Sequence, residues 1–227
     1  MNQDKLTALV DDVLSRLLTA GATDAKVIAR TGQSLSVKVR MGETEMVEEA
    51  GTQSIAVRAM KGRRVATSST NDLTTDGLQR LIRDAVELCD LSQEDPHAGL
   101  PDPSELATAW PDLELYDPEC GGVMAGEAIA RARRCEDAAR AADARITNSE
   151  GASFDRTTGG FVMATSGGFR GGYHGSYASV AVSPVAADDG GKNRTASYWS
   201  ARRRLAVEGK GGQLIHALRS GSTNMLV

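Results

Sequence analysis

Histidine, cysteine and aromatic residues are all scarce in this sequence, and each shortage excludes some chemistry. Only three histidines occur, His97, His174 and His216. None is followed by glutamate, and no two are spaced to share one helix face, as a hydrolytic zinc site requires. Each reads as a solvated or hydrogen-bonded side chain rather than a ligand. Three cysteines, Cys89, Cys120 and Cys135, lie far apart without a C-x-x-C pair. That fits reduced thiols in a cytosolic protein better than a disulfide framework. Cys89 and Cys135 fall in helical patterns, where a thiol packs as a small apolar side chain. No apolar run approaches the roughly 20 residues of a membrane helix. The opening MNQDKLTALVDDVLSRLL is acidic where an export signal is basic. The expected location is therefore the cytoplasm.

What is present suits a globular protein of one large or two modest domains. Of 227 residues, 41% are hydrophobic and 25% charged. The net charge of −4 hides an asymmetry. Residues 1–120 hold 12 Lys and Arg against 21 Asp and Glu, whereas residues 121–227 hold 14 against 9. Such a split suits two modules meeting, or a basic surface meeting a partner. The basic residues are scattered and aromatics make up only 4%, which speaks against nucleic acid.

Leu6, Leu9, Val10, Val13, Leu14, Leu17 and Leu18 recur at three and four, predicting an amphipathic helix that Gly21 ends. DAKVIAR and LSVKVRM alternate as two strands, and GETEMVEEAG reads as an exposed acidic strand. SIAVRAMKGRRVATSS predicts a hairpin turning near Lys61-Gly62. A second helix begins at Thr74, the expected N-cap, and runs to Cys89. Both helices should pack on one face of the sheet. Residues 92–121 carry five of the six prolines and form a surface connector. An alanine-striped helix spans 122–142, and several short strands follow, with turns at Asn148, Gly151, Gly159-Gly160 and Gly167-Gly168.

The fold class expected is α+β. An N-terminal helix–antiparallel sheet–helix domain (1–91) precedes the connector (92–121) and a central domain of helix plus antiparallel β-meander (122–200). Residues 201–227 form a divergent tail.

The glycine-rich run TSGGFRGGYHGSY (Thr165–Tyr177) invites a phosphate-binding reading and fails it. Phe169 and Arg170 interrupt the spacing that G-x-G-x-x-G needs, and a strand-like stretch follows in place of a helix. Lys192 precedes Asn193, not the Ser or Thr of a P-loop. No G-x-S-x-G nucleophile elbow occurs. The carboxylate pairs Glu94/Asp95 and Asp188/Asp189 are adjacent in sequence and point apart. Residue chemistry thus assigns no catalytic and no metal residue, and leaves substrate-binding residues unknown.

Five segments in order do carry a resemblance: GRRVATSSTNDLTTDGL (62–78), EDPHAGLPDP (94–103), LELYDP (113–118), TNSEGAS (147–153) and SGGFRGGYHGSY (166–177). Together they resemble the TldD/PmbA family, once called modulators of DNA gyrase, and the PmbA (TldE) branch in particular. The resemblance implies N-terminal and central domains of a three-part protein, truncated before the family's C-terminal domain. It also implies a cytoplasmic heterodimer with a TldD-like metallopeptidase subunit, acting on peptides and unfolded polypeptides. In that family zinc sits in the TldD-type partner, on an H-E-x-x-x-H helix and a later cysteine. Nothing here matches that motif, so the expectation is a non-catalytic subunit without a cofactor of its own. Two alternatives stay open: a gyrase- or nucleic-acid-associated binding module, or a degenerate truncated family member.

Overall fold

Leu6, Val10, Val13 and Leu17 come round to one side of helix α1 (Gln3–Thr19) and bury it. Gly21 terminates the helix as expected. At φ 106° it takes the left-handed conformation that side chains resist. The Ala22 N–H then reaches back to the Leu17 carbonyl at 3.1 Å, closing a Schellman-type cap. The computed structural model describes residues 3–187, 190–195 and 197–202. His216 and the tail beyond Arg202 lie outside them, as do Asp188 and Asp189.

The expected pair of strands before residue 41 is one strand, β1 (Asp24–Arg40). Buried Ala25, Val27 and Ala29 keep the same alternation as Leu35, Val37 and Val39, so the pleat continues through the polar middle. Strand β2 (Glu43–Lys61) begins with the acidic stretch, which is exposed throughout Glu43–Gln53. The hairpin to β3 (Arg64–Thr70) forms as read, with Lys61 opposite Arg64 and Ile55 opposite Thr70. Helix α2 (Thr75–Leu91) is capped by Thr74, whose hydroxyl accepts from the Gly77 N–H at 3.2 Å. After the proline-rich stretch come short α3 (Pro118–Gly122) and α4 (Ala125–Arg140).

The expected run of short strands is two long ones, β4 (Ile146–Thr165) and β5 (Arg170–Ala187). Of the expected turns only Gly167-Gly168 is one, with Gly168 at φ 97°. Gly159 and Gly160 sit in mid-strand because neighbouring backbone leaves no room there. A Cβ on Gly159 would lie 2.5 Å from the Thr31 carbonyl oxygen, and one on Gly160 2.7 Å from that of Tyr173. Two short strands, β6 (Asn193–Thr195) and β7 (Tyr198–Arg202), both pair antiparallel with β5.

The sheet order is β3-β2-β1-β4-β5-β6, with β7 also on β5. Ala25 exchanges hydrogen bonds with Ser166, while Gly151 packs on Val39, so β4 runs antiparallel to β1. The α+β class is as expected. The fold also divides into two compact units, each drawn from separated stretches of chain. One comprises residues up to Gly32 with Gly51–Leu113 and Gly159–His174; the other comprises Gln33–Ala50, Glu114–Thr158 and the chain from Gly175 onward.

In the first unit α1 and α2 bury Val10, Val13, Leu81 and Ile82 against Val27, Val57 and Val162 of the sheet. Each such side chain contributes roughly 1.5–3 kcal/mol on burial. In the second, α4 presents Ala128, Ala132, Cys135 and Ala139 to Val37, Phe154 and Val180. The small stripe lets that helix lie close to its strands. Arg131 stacks its guanidinium 5.6 Å from the Phe154 ring centroid.

Candidate functional site

The described histidines are both exposed, His97 within the proline-rich connector and His174 on β5. All three thiols are buried. Cys89 donates to the Ala59 carbonyl at 3.2 Å, and Cys120 approaches that of Tyr177 at 3.7 Å. Burial pushes both of these thiols above their ordinary range, the opposite of what a nucleophile or ligand needs. The Glu94/Asp95 pair is divided as read: Glu94 faces Arg64 at 3.7 Å, and Asp95 accepts from the His97 N–H at 2.9 Å. Among the described residues no three His, Cys, Asp or Glu side chains gather.

The glycine-rich run proves to be a bed for other chain segments. Gly172 lies so close to the Phe161 carbonyl oxygen that a Cβ would overlap it. Gly171 lies under the indole of Trp110, where a Cβ would come within 2.8 Å, and Gly167 lies under Leu100 at 3.4 Å. Trp110 also meets the Phe169 ring, with centroids 5.8 Å apart. Arg170, the one cation of the run, is committed to Asp11 on α1, at 2.9 Å from Nε and 2.6 Å from Nη2. The run therefore fastens the proline-rich connector to the sheet.

That fastening roofs a groove of about 470 Å³ in the first unit. Its floor is the sheet face turned away from the helices, with Lys26 from β1, Arg58 and Met60 from β2, and Met163 from β4. Lys26 and Arg58 stand at the half-buried positions between the fully buried residues of their strands. Leu100, Pro101 and Leu106 supply the roof, with His97 at the rim and Phe169 closing the hairpin side. Among the described residues neither Lys26 nor Arg58 has a carboxylate partner. Sequence reading missed this groove, since its cations are ordinary alternating positions and its roof lies about 40 to 80 residues away along the chain.

A second feature belongs to the other unit. Strand β3 pairs only with Ile55–Lys61, so the outer edge of Glu43–Ala50 is open among the described residues. Glu45 reaches Lys38 at 2.7 Å, and Glu49 reaches the buried Arg156 at 3.3 Å. Met46 and Val47 are exposed there. The turn leading into this edge is held by a fully buried carboxylate. Glu136 accepts from the Met41 N–H at 2.9 Å and from the Gly42 N–H at 2.8 Å. Burial alone would raise the Glu136 carboxyl, but hydrogen bonds from Ser149, Gly42 and Met41, with the Arg140 charge, outweigh it and hold it below its usual range.

Fold and site together define an α+β protein whose helices cover an antiparallel sheet, with a roofed cationic groove and an open acidic strand edge. Residues 25–89 match domain 1 of the PmbA/TldA metallopeptidases, and residues 121–215 match their central domain. The chain belongs to this PmbA/TldD family. It is 34% identical over 182 residues to Metalloprotease PmbA of Escherichia coli O157:H7, covering 80% of this chain and 40% of that protein. It is 31% identical over 169 residues to the PmbA homolog of Haemophilus influenzae, covering 74% and 37%. The chain thus spans about two fifths of the length of these relatives.

Two solved structures share the fold. A Bacteroides thetaiotaomicron protein named for modulation of DNA gyrase superposes with TM-score 0.84 at 21% identity, over 100% of this chain and 50% of its own. TldE of Thermococcus kodakarensis gives 0.72 at 15%, over 94% and 47%. The family's metallopeptidase name raises the question of a metal. Among the described residues, two exposed histidines and three buried thiols gather into no donor set for hydrolytic zinc.

Proposed function

We propose that this chain is a PmbA/TldE-like, non-catalytic part of a cytoplasmic metallopeptidase complex, paired with a TldD-like subunit that carries the zinc. The observation that carries the reading is the histidine inventory of a chain one third identical to Metalloprotease PmbA: three imidazoles, none in an H-E-x-x-x-H arrangement. The open edge of Glu43–Ala50 supports a role in presenting peptide. An extended chain can add there as a strand through backbone hydrogen bonds, with little sequence preference. The edge glutamates also serve a plain structural purpose, since charge on a bare edge discourages self-pairing.

The experiment is metal analysis and a peptidase assay on this chain alone and after mixing with a TldD-type chain from the same source. The expected result is no stoichiometric zinc and no activity alone, with co-elution and peptide cleavage after mixing. Zinc held one-to-one by this chain, or no association with any such partner, overturns the reading.

A further inference from the structure

We infer that the groove between the sheet and the proline-rich connector captures the C-terminal carboxylate of an apolar peptide. The chemistry follows from what lines it. Lys26 and Arg58 bring two positive charges onto one sheet face, and no described carboxylate answers either. Around them stand Met60, Met163, Phe169, Leu100 and Leu106, which give the groove an apolar wall beside the charges. A guanidinium offers a carboxylate two parallel donors, and a lysine adds a point charge. The occupant that complements both surfaces is an anion at the end of an apolar body. The volume of about 470 Å³ lies within the range of sites that enclose small ligands.

The roof gives the site its shape. Trp110 rests on Gly171 and Leu100 on Gly167, so the connector lies close over the strands. At its root, the connector is tied to the start of β3, where the Asp95 N–H donates to the Arg63 carbonyl at 2.9 Å and Arg63 Nη1 donates to the Pro96 carbonyl. The last few residues of a peptide can enter beneath this strap, with their side chains against Met163 and Leu106 and the terminal carboxylate between Lys26 and Arg58. That the anion belongs to a peptide, rather than to a fatty acid, rests on the peptide-handling function proposed above.

The test is calorimetric titration of the full chain with acetyl-Leu-Leu-Phe bearing a free carboxylate, with the same peptide as its C-terminal amide, and with octanoate. The free acid is expected to bind at least tenfold tighter than either comparison ligand. In Arg58→Gln and in Lys26→Gln the acid is expected to fall to the level of the amide, with the far-ultraviolet circular dichroism unchanged. Equal binding of acid and amide overturns the carboxylate site, and so does no binding at all. Octanoate binding as tightly as the peptide acid overturns the peptide assignment. Because the titration uses this chain alone, failure here with successful zinc-partner assembly condemns the groove and leaves the complex intact. The converse pair of results condemns the complex.

Discussion

Glu136 shows how one residue can hold a turn that its own sequence disfavours. Met41 and Gly42 link β1 to β2 with φ of 51° and 83°. The first of these is a left-handed conformation that costs a side-chain-bearing residue about 1–2 kcal/mol. The two N–H groups of the turn both end on the Glu136 carboxylate. Replacing Met41 with Asn, which tolerates that conformation, is expected to raise the unfolding free energy by about 1 kcal/mol in urea titrations. Glu136→Gln is expected to lose about 2 kcal/mol at neutral pH, because a charged acceptor of two hydrogen bonds becomes a neutral one. The folded carboxyl is more acidic than the unfolded one, so the folded state binds fewer protons. The stabilisation is complete above the unfolded value of about 4.3 and fades as acid protonates the folded carboxylate. Wild type and Glu136→Gln should therefore converge in stability as pH falls through that window.

Among the elements, glycine had two meanings that sequence could not separate. Gly21 and Gly168 mark a helix end and a turn, and both were readable from the patterns beside them. Gly159, Gly160, Gly171 and Gly172 looked alike and instead admit a neighbour's backbone or ring. The sequence pattern alone therefore divides β4 and β5 into short strands. The helices were legible because leucine spacing and the Thr74 cap are local signals. The groove and the role of Glu136 were not, since both depend on residues brought together across tens of positions. Alanine at Gly172 should cost about 1–3 kcal/mol, toward the upper end because rigid backbone lies in the way. At Gly171 the obstacle is the Trp110 ring, which can swing out. Alanine there should cost less in denaturant midpoint but shift the Trp110 fluorescence to the red.

For the whole molecule, the sequence halves differ in charge, with an acidic excess before residue 121 and a basic excess after it. Four of these basic residues are paired with carboxylates within the fold: Arg131 with Glu127, Arg145 with Asp143, Arg156 with Glu49 and Arg170 with Asp11. A nucleic-acid site would need a basic stripe left free for phosphates. A mobility-shift assay with a short DNA duplex is expected to show no retardation at 50–100 mM salt. Retardation that disappears steeply as salt rises would revive the binding-module alternative.

The interleaving of the two units also bears on how the chain is made. Each unit draws on three separated stretches, and the first is incomplete until β4 and the start of β5, up to His174, have been synthesised. On the ribosome, α1, β1, β2, β3 and α2 must wait with one flank of the nascent sheet bare while about 70 further residues emerge. Translation at roughly 5–20 residues per second makes that a delay of several seconds, long enough for a chaperone to bind.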